Sequence, residues 1–354
     1  MSKLFKNIIF RCDASQSVGY GHFSRCLSIA QCLKDFNWNV HFAMMNSSNA
    51  SNQLKDMGIS ASNISLHKYS QKEESNWFKE LALSIEASII FLDIRSDLSA
   101  ETIKELQKNG AIIVTIDDPS ERRLFADLAF YPPVPQVKEM SWVGFNGVLY
   151  CGWEWVPLKN NILKARENKI KRKDGKNTSL LLTMGGSDPA GITIQVLNAI
   201  DSSKEQIIPN VIIGPEFMHA NELNLFLSTA KKKYNIINGN FDIIETLSEA
   251  DLAIISFGVT AYELASLGVP TIIISLSDDH AKSASVFDAE SMSISLGNFK
   301  DVDNKMISNS LSYLLGNKKE LKKMKEKNLK NSDAKGSSRI ANVINNFFDS
   351  KRTT

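Results

Sequence analysis

Arg11-Cys12-Asp13-Ala14-Ser15-Gln16-Ser17-Val18-Gly19-Tyr20-Gly21-His22-Phe23-Ser24-Arg25-Cys26 joins two segments of opposite period. Before it, Ile8, Ile9 and Phe10 form the continuous apolar run of a buried parallel strand. After it, Leu27, Ile29, Ala30 and Leu33 carry the spacing of an amphipathic helix. The stretch is therefore a loop from the carboxyl end of a strand to the amino end of a helix. Gly19 and Gly21 let the backbone turn tightly and approach a ligand, and the unpaired amides of the helix start favour negative charge. His22 falls at that helix start, where the dipole favours the neutral imidazole that can accept a proton. Gly-x-Gly lacks the third glycine of a dinucleotide fingerprint, since Ser24 stands in its place.

The same alternation runs along the chain. Residues 40–44, 89–92 and 112–116 read as further buried strands, with helices over 23–35, 74–85 and 101–108 between them. After a polar, basic stretch from Lys164 to Lys176 the pattern restarts, with strands over 179–183, 210–213, 252–255 and 271–274. The fold class is α/β, two Rossmann-like doubly wound domains facing an interdomain cleft. The expected boundaries are 1–155, a hinge at 156–176, 177–335, and a terminal helix at 336–354 that packs back through Val343, Ile344, Phe347 and Phe348. A length of 354 residues suits two domains.

Composition narrows the function class. A formal net charge of +2 gives no pull toward nucleic acid, and no apolar run is long enough for an integral membrane segment. The basic stretch reads as a solvated linker and helix face, with peripheral contact to anionic lipid as the other reading. Cys12, Cys26, Cys32 and Cys151 show no paired spacing and no signal peptide is recognisable, so a cytoplasmic protein with reduced thiols is expected. His41, His67 and His219 have no partners at metal-ligand spacing, so no metal is expected. Oligomeric state stays open.

A second glycine loop, Thr183-Met184-Gly185-Gly186-Ser187-Asp188-Pro189, again follows a strand and opens a helix, with Pro189 suited to the first helical turn. One such loop in each half implies a phosphorylated ligand. Further on, Ser256-Phe257-Gly258-Val259-Thr260-Ala261-Tyr262-Glu263 places a glycine turn before a helix with an early glutamate. Thr260 and Glu263 have the spacing of a capping box; a carboxylate at Glu263 is equally suited to two ribose hydroxyls.

These three segments together resemble the GT-B nucleotide-sugar enzymes of the MurG-like superfamily. More narrowly, Arg11 to Ser15 followed by Gly19-Tyr20-Gly21-His22 and Arg25 is similar to the pseudaminic-acid UDP-sugar hydrolases and the related spore-coat polysaccharide biosynthesis proteins. The resemblance implies a GT-B fold with the sugar side on the first domain and the nucleotide on the second. It implies a UDP-sugar substrate, no cofactor, and release of UDP from an amino-deoxy sugar by C–O cleavage at the anomeric carbon. His22 matches the family base, Gly185, Gly186 and Ser187 the diphosphate loop, and Glu263 the ribose acid, with Ser256, Gly258 and Thr260 lining the nucleotide pocket.

Asp13 is expected either to orient His22 or a sugar hydroxyl, or to form an Asx turn. Arg25, Asp93, Asp118 and His280 are further candidate substrate contacts; Asp117 and Asp118 also suit a cap or turn before Pro119. The chain departs from the hydrolases at Asp93-Ile94-Arg95, where they carry Asp-His-Tyr, and at Asp278-Asp279-His280, where they carry Asp-Asn-Gln. It departs again at Phe130 to Pro135, where they carry an asparagine-containing segment. A glycosyltransferase with the same donor site, or a non-catalytic nucleotide-sugar binding protein, are the alternatives.

Overall fold

Residues 6–14, 20–45, 47–64, 70–96, 98–171, 178–239 and 243–351 are described by the computed structural model. Gly19 and His67 lie outside them. The chain divides into two compact units, one of residues 1–133, 137–159 and 335–354, the other of residues 134–136 and 160–334.

The first unit is built on seven strands: β1 Asn7–Cys12, β2 Asn39–Met45, β3 Ser60–Ile64, β4 Ile89–Asp93, β5 Ile112–Ile116, β6 Leu128–Tyr131 and β7 Val148–Cys151. They pair in parallel in the order β3-β2-β1-β4-β5-β6-β7. Burial on both faces explains the unbroken apolar runs of the central strands. Phe10 of β1 lies with its ring centroid 5.2 Å from Phe42 and 4.8 Å from Phe91, so three neighbouring strands share one aromatic layer. The Gly21–Lys34 helix covers that layer with Phe23, Leu27, Ala30 and Leu33. The Gly336–Lys351 helix adds Ile340, Ile344 and Phe348 to the same core, with Phe348 4.8 Å from Trp38. The carboxyl-terminal helix thus completes the first unit.

The second unit repeats the plan with β8 Leu180–Thr183, β9 Asn210–Ile213, β10 Asn235–Asn238, β11 Leu252–Ser256, β12 Thr271–Ser275 and β13 Ser293–Asn298. Their order is β10-β9-β8-β11-β12-β13, again parallel. In each sheet the chain leaves one strand for opposite sides: β1 stands between β2 and β4, and β8 between β9 and β11. The carboxyl ends at such a switch point open the crevice in which sheets of this class bind ligands. Each of the two glycine loops leaves one of these two strands.

Five strands are absent from the sequence reading. β3, β7 and β10 are mostly exposed or half-buried at the edges, so polar residues interrupt them; β6 has only four residues, and β13 follows a register irregularity against β12. The basic stretch expected to be a hinge is helical over Asn160–Lys171 and belongs to the second unit; its remainder, 172–177, is not among the described residues.

Candidate active site

Register places the first cluster. Cys12, the last residue of β1, pairs with Asp93, the last of β4, so Asp93 lies level with the start of the glycine loop at the switch point. The helix that follows begins at Gly21, with no side-chain cap and no acid in its first turn. His22, in that turn, directs Nδ1 at Asp93 Oδ1 over 2.6 Å. Arg25, one turn later on the same helix, forks onto the same carboxylate: Nε is 2.5 Å from Oδ2 and Nη2 2.5 Å from Oδ1. The Cys26 thiol donates to Oδ2 at 3.5 Å.

The Asp93 side chain is 0% exposed, and those of His22 and Arg25 are 15% exposed. Burial by itself pushes the Asp93 carboxyl up, but the Arg25 charge and the hydrogen bonds from Arg25 and His22 outweigh it and hold the group well below the usual carboxylate range. Asp93 is therefore a fixed anion. It takes the proton of His22 Nδ1 as a hydrogen bond and leaves Nε2 as the ring's proton acceptor.

Asp13 does not serve that purpose. It is bound to the buried Arg11, 2.6 Å from Nη1, and its Oδ1 accepts the Met45 amide at 2.8 Å. Arg11 also holds Glu74 at 2.7 Å. The Asp13 and Glu74 carboxylates neutralise a guanidinium that the fold buries completely, so Asp13 ties β1 to the end of β2 and leaves the orientation of His22 to Asp93. Asp118 is likewise committed to structure: Oδ1 accepts from the Ser120 amide at 2.9 Å and Oδ2 from Arg122 at 3.1 Å. Its neighbour Asp117 is the acid that joins the cluster, through Arg25 at 3.3 Å and Arg95 at 2.9 Å. Asp-Pro-Ser is an Asx-turn sequence, and that is the signal that separates Asp118 from Asp117.

In the second unit, Gly185 has φ +83°, a conformation that favours glycine, and nothing stands within 4 Å of where a side chain on Gly186 would begin. The carbonyls of Gly186 and Ser187 accept from the amides of Glu216 and Met218. In a trans peptide the N–H opposes the C=O, so the Ser187 and Asp188 amides face the other way, as an anion-binding loop requires. The helix itself starts only at Ile192, three residues beyond Pro189. Its first amides are occupied, since Asp188 accepts from Ile192 at 2.9 Å and Thr193 at 2.8 Å. The first amides of the helix are therefore taken, and any anion would have to be met by the loop amides instead.

Gly214, after β9, presses on this loop: a Cβ there would meet the carbonyl oxygens of Gly186 and Gly185 at 2.3 and 2.4 Å. Gly214→Ala is expected to destabilise the protein by about 1–3 kcal/mol, as overpacking does. Urea unfolding checks it; a wild-type transition overturns it.

Beside the loop, Ser256 ends β11, its Oγ 3.8 Å from a Cβ built on Gly185. Gly258 caps the Val259–Ser266 helix with extended backbone and open space above it. Thr260 is already the second helical residue, so it is not the cap and the capping box is not formed; Glu263 is buried within the helix. His280 lies in the first turn of the Asp278–Ala289 helix, where Ser277 caps its amide at 3.2 Å. Its ring stands 5.9 Å from that of Phe257, and Nδ1 is buried with no hydrogen-bond partner among the described residues. Among the described residues no three His, Cys, Asp or Glu side chains group as a metal ion would need, and no helix is long and apolar enough to cross a membrane.

No protein-family model matches the chain. Among solved structures, MurG of Acinetobacter baumannii superposes with a TM-score of 0.72 at 15% identity, over 96% of this chain and 99% of that one. The fold is GT-B. A UDP-glucosyltransferase from Polygonum tinctorium (TM-score 0.69, 12% identity, 99% and 100% covered) and the UDP-GlcNAc 2-epimerase of Neisseria meningitidis bound to UDP-GlcNAc (0.66, 10%, 96% and 99%) share it. Among curated proteins, an uncharacterized protein of Methanocaldococcus jannaschii is 28% identical over 273 residues, 74% of this chain and 54% of the relative. The spore coat polysaccharide biosynthesis protein SpsG of Bacillus subtilis is 25% identical over 202 residues, 56% of this chain and 59% of that protein. The matched regions thus span between half and three fifths of these two relatives.

Proposed function

We propose that this GT-B protein is a UDP-sugar hydrolase of surface-polysaccharide or nonulosonic-acid biosynthesis, acting at the anomeric carbon. The observation that carries this reading is the 2.6 Å bond between His22 Nδ1 and the buried Asp93 anion. It gives the imidazole one orientation and one tautomer, the requirement for a general base. In the proposed step Nε2 takes a proton from water, the water oxygen bonds to the anomeric carbon, and the bond from that carbon to the phosphate oxygen breaks. UDP leaves with the electron pair. The Ser187 and Asp188 amides stabilise the charge that develops on the leaving diphosphate, and Glu263 takes the ribose. UDP as the nucleotide is supported by the UDP-glucosyltransferase and by the 2-epimerase bound to UDP-GlcNAc, and polysaccharide biosynthesis by SpsG.

Transfer of the sugar to another hydroxyl is the second reading. It needs the same base and is favoured by the glycosyltransferases that share the fold. UDP release from a panel of UDP-sugars, with and without acceptors, separates the two. Release by wild type in buffer alone supports the hydrolase; release only with an acceptor moves the protein to the transferases. UDP binding without turnover of any sugar removes both.

A further inference from the structure

The carboxyl edge of the first sheet holds two charged side chains that the proposed step does not use. Arg95 donates through Nη1 to the carbonyl oxygen of Asp117 and through Nη2 to its Oδ2 at 2.9 Å. The same Oδ2 is 3.3 Å from Nη1 of Arg25, and Nη2 of Arg25 is 3.1 Å from His22 Nδ1. Arg95 and Asp117 are therefore the outer members of the cluster that holds the base. Their side chains are 44% and 28% exposed, against 15% for Arg25 and 0% for Asp93.

The backbone supports the same reading. Asp117 sits at φ +51°, in the left-handed region, directly after β5. Aspartate tolerates this conformation better than most residues, and residues held in it at the rim of a site are associated with function. Here the result is that two consecutive acids part company: Asp118 turns to Arg122, and Asp117 reaches the cluster.

We propose that Arg95 and Asp117 are the sugar-recognition pair of this site, and that they select a hexose with neighbouring hydroxyls. The proposal rests on the nucleotide-sugar reading above. A guanidinium has five N–H donors and a carboxylate about four acceptor positions, and the contacts named use two on each side. Asp117 Oδ1 and the remaining Arg95 N–H groups belong to a carboxylate and a guanidinium already bonded to each other, so they stand within reach of one ligand. Two adjacent hydroxyls satisfy both, one donating to Asp117 and the other accepting from Arg95. A deoxy carbon at either position leaves a charged group without a partner, which a site built for hydrogen bonds rejects. The pair includes Arg95, a position where the chain departs from the hydrolases it resembles.

The test compares UDP-glucose with UDP-3-deoxyglucose, a deoxy sugar with no two neighbouring ring hydroxyls, using wild type, Arg95→Met and Asp117→Asn, with UDP binding followed by calorimetry. Wild type should favour UDP-glucose. Each substitution should raise its KM about 10- to 100-fold, the effect of one hydrogen bond to a charged group, and leave the affinity for UDP alone in place. The deoxy sugar should not respond. A KM for UDP-glucose that Arg95→Met does not move, or a wild-type preference for the deoxy sugar, overturns the proposal even where UDP release is confirmed. A fall in kcat alone overturns it too, since that assigns the pair to positioning Arg25. Absence of both UDP binding and UDP release in wild type is the separate failure of the nucleotide-sugar reading, and removes this proposal with it. Arg95 is the more exposed of the two, so Arg95→Met decides the outcome if Asp117→Asn fails to fold.

Discussion

Asp93→Asn is expected to lower both stability and turnover. Asparagine has the shape of the carboxylate but not its charge. Arg25, only 15% exposed, would keep Asp117 at 3.3 Å as its remaining ion-pair partner among the contacts described. Removing one member of a buried ion pair costs about 3–5 kcal/mol, chiefly because the other charge stays desolvated. The same change loosens His22, since an amide can present N–H to Nδ1 and reverse the tautomer. The general-base contribution, about 10²- to 10⁴-fold in kcat, should be lost with it. Urea unfolding and UDP release at saturating substrate measure the two effects, and a variant as stable and active as wild type would show that the cluster holds nothing.

The pH dependence of that loss has a definite sign. The folded carboxyl titrates below its unfolded value, so its stabilising contribution is complete above the unfolded pKa of about 4 and disappears as acid carries the pH down through the folded value. The stability gap between wild type and Asp93→Asn should be constant from about pH 5 to 7 and close in stronger acid. A gap that widens on acidification would contradict the depressed carboxyl.

His22→Ala is the second large effect, and it should separate from the first by sparing the fold. The ring lies at the margin of the core, and its removal leaves Asp93 paired with Arg25 at 2.5 Å through two nitrogens. Thermal unfolding should stay within a few degrees of wild type, while kcat falls about 10²- to 10⁴-fold. UDP affinity should persist, because Gly185, Gly186, Ser187, Ser256 and Glu263 are untouched. Collapse of folding in His22→Ala would reassign the histidine to structure; full turnover would remove it as the base.

Legibility in the sequence varied with burial. The central strands were readable because a parallel strand covered on both faces can carry only apolar residues, as Ile8 to Phe10 and Ile89 to Leu92 do. The edge strands β3, β7 and β10 were not, because a half-exposed edge tolerates Ser60, Asn63, Tyr150 and Asn238. The glycine loops were found through Gly185 and His22, residue types with strong local meaning. The carboxylates are less legible. Asp13 lies in the same loop as His22 and suits it as a partner by proximity along the chain, while the partner the fold supplies is Asp93, 71 residues away.

The sequence by itself determined the α/β class, the repeated strand–loop–helix plan and the histidine at a helix start, because these follow from local period and turn chemistry. Only tertiary structure decided which acid each base meets. Parallel strands from distant parts of the chain become neighbours, and the register of β1 against β4 sets Asp93 beside Cys12. Asp118 and Asp188 find their partners locally, four or five residues along the chain, at Arg122 and at the amides of Ile192 and Thr193. A carboxylate's role depends on which cation or amide is within about 3 Å of it, and for Asp93 and Asp117 that distance is fixed by packing between elements, not by spacing along the chain.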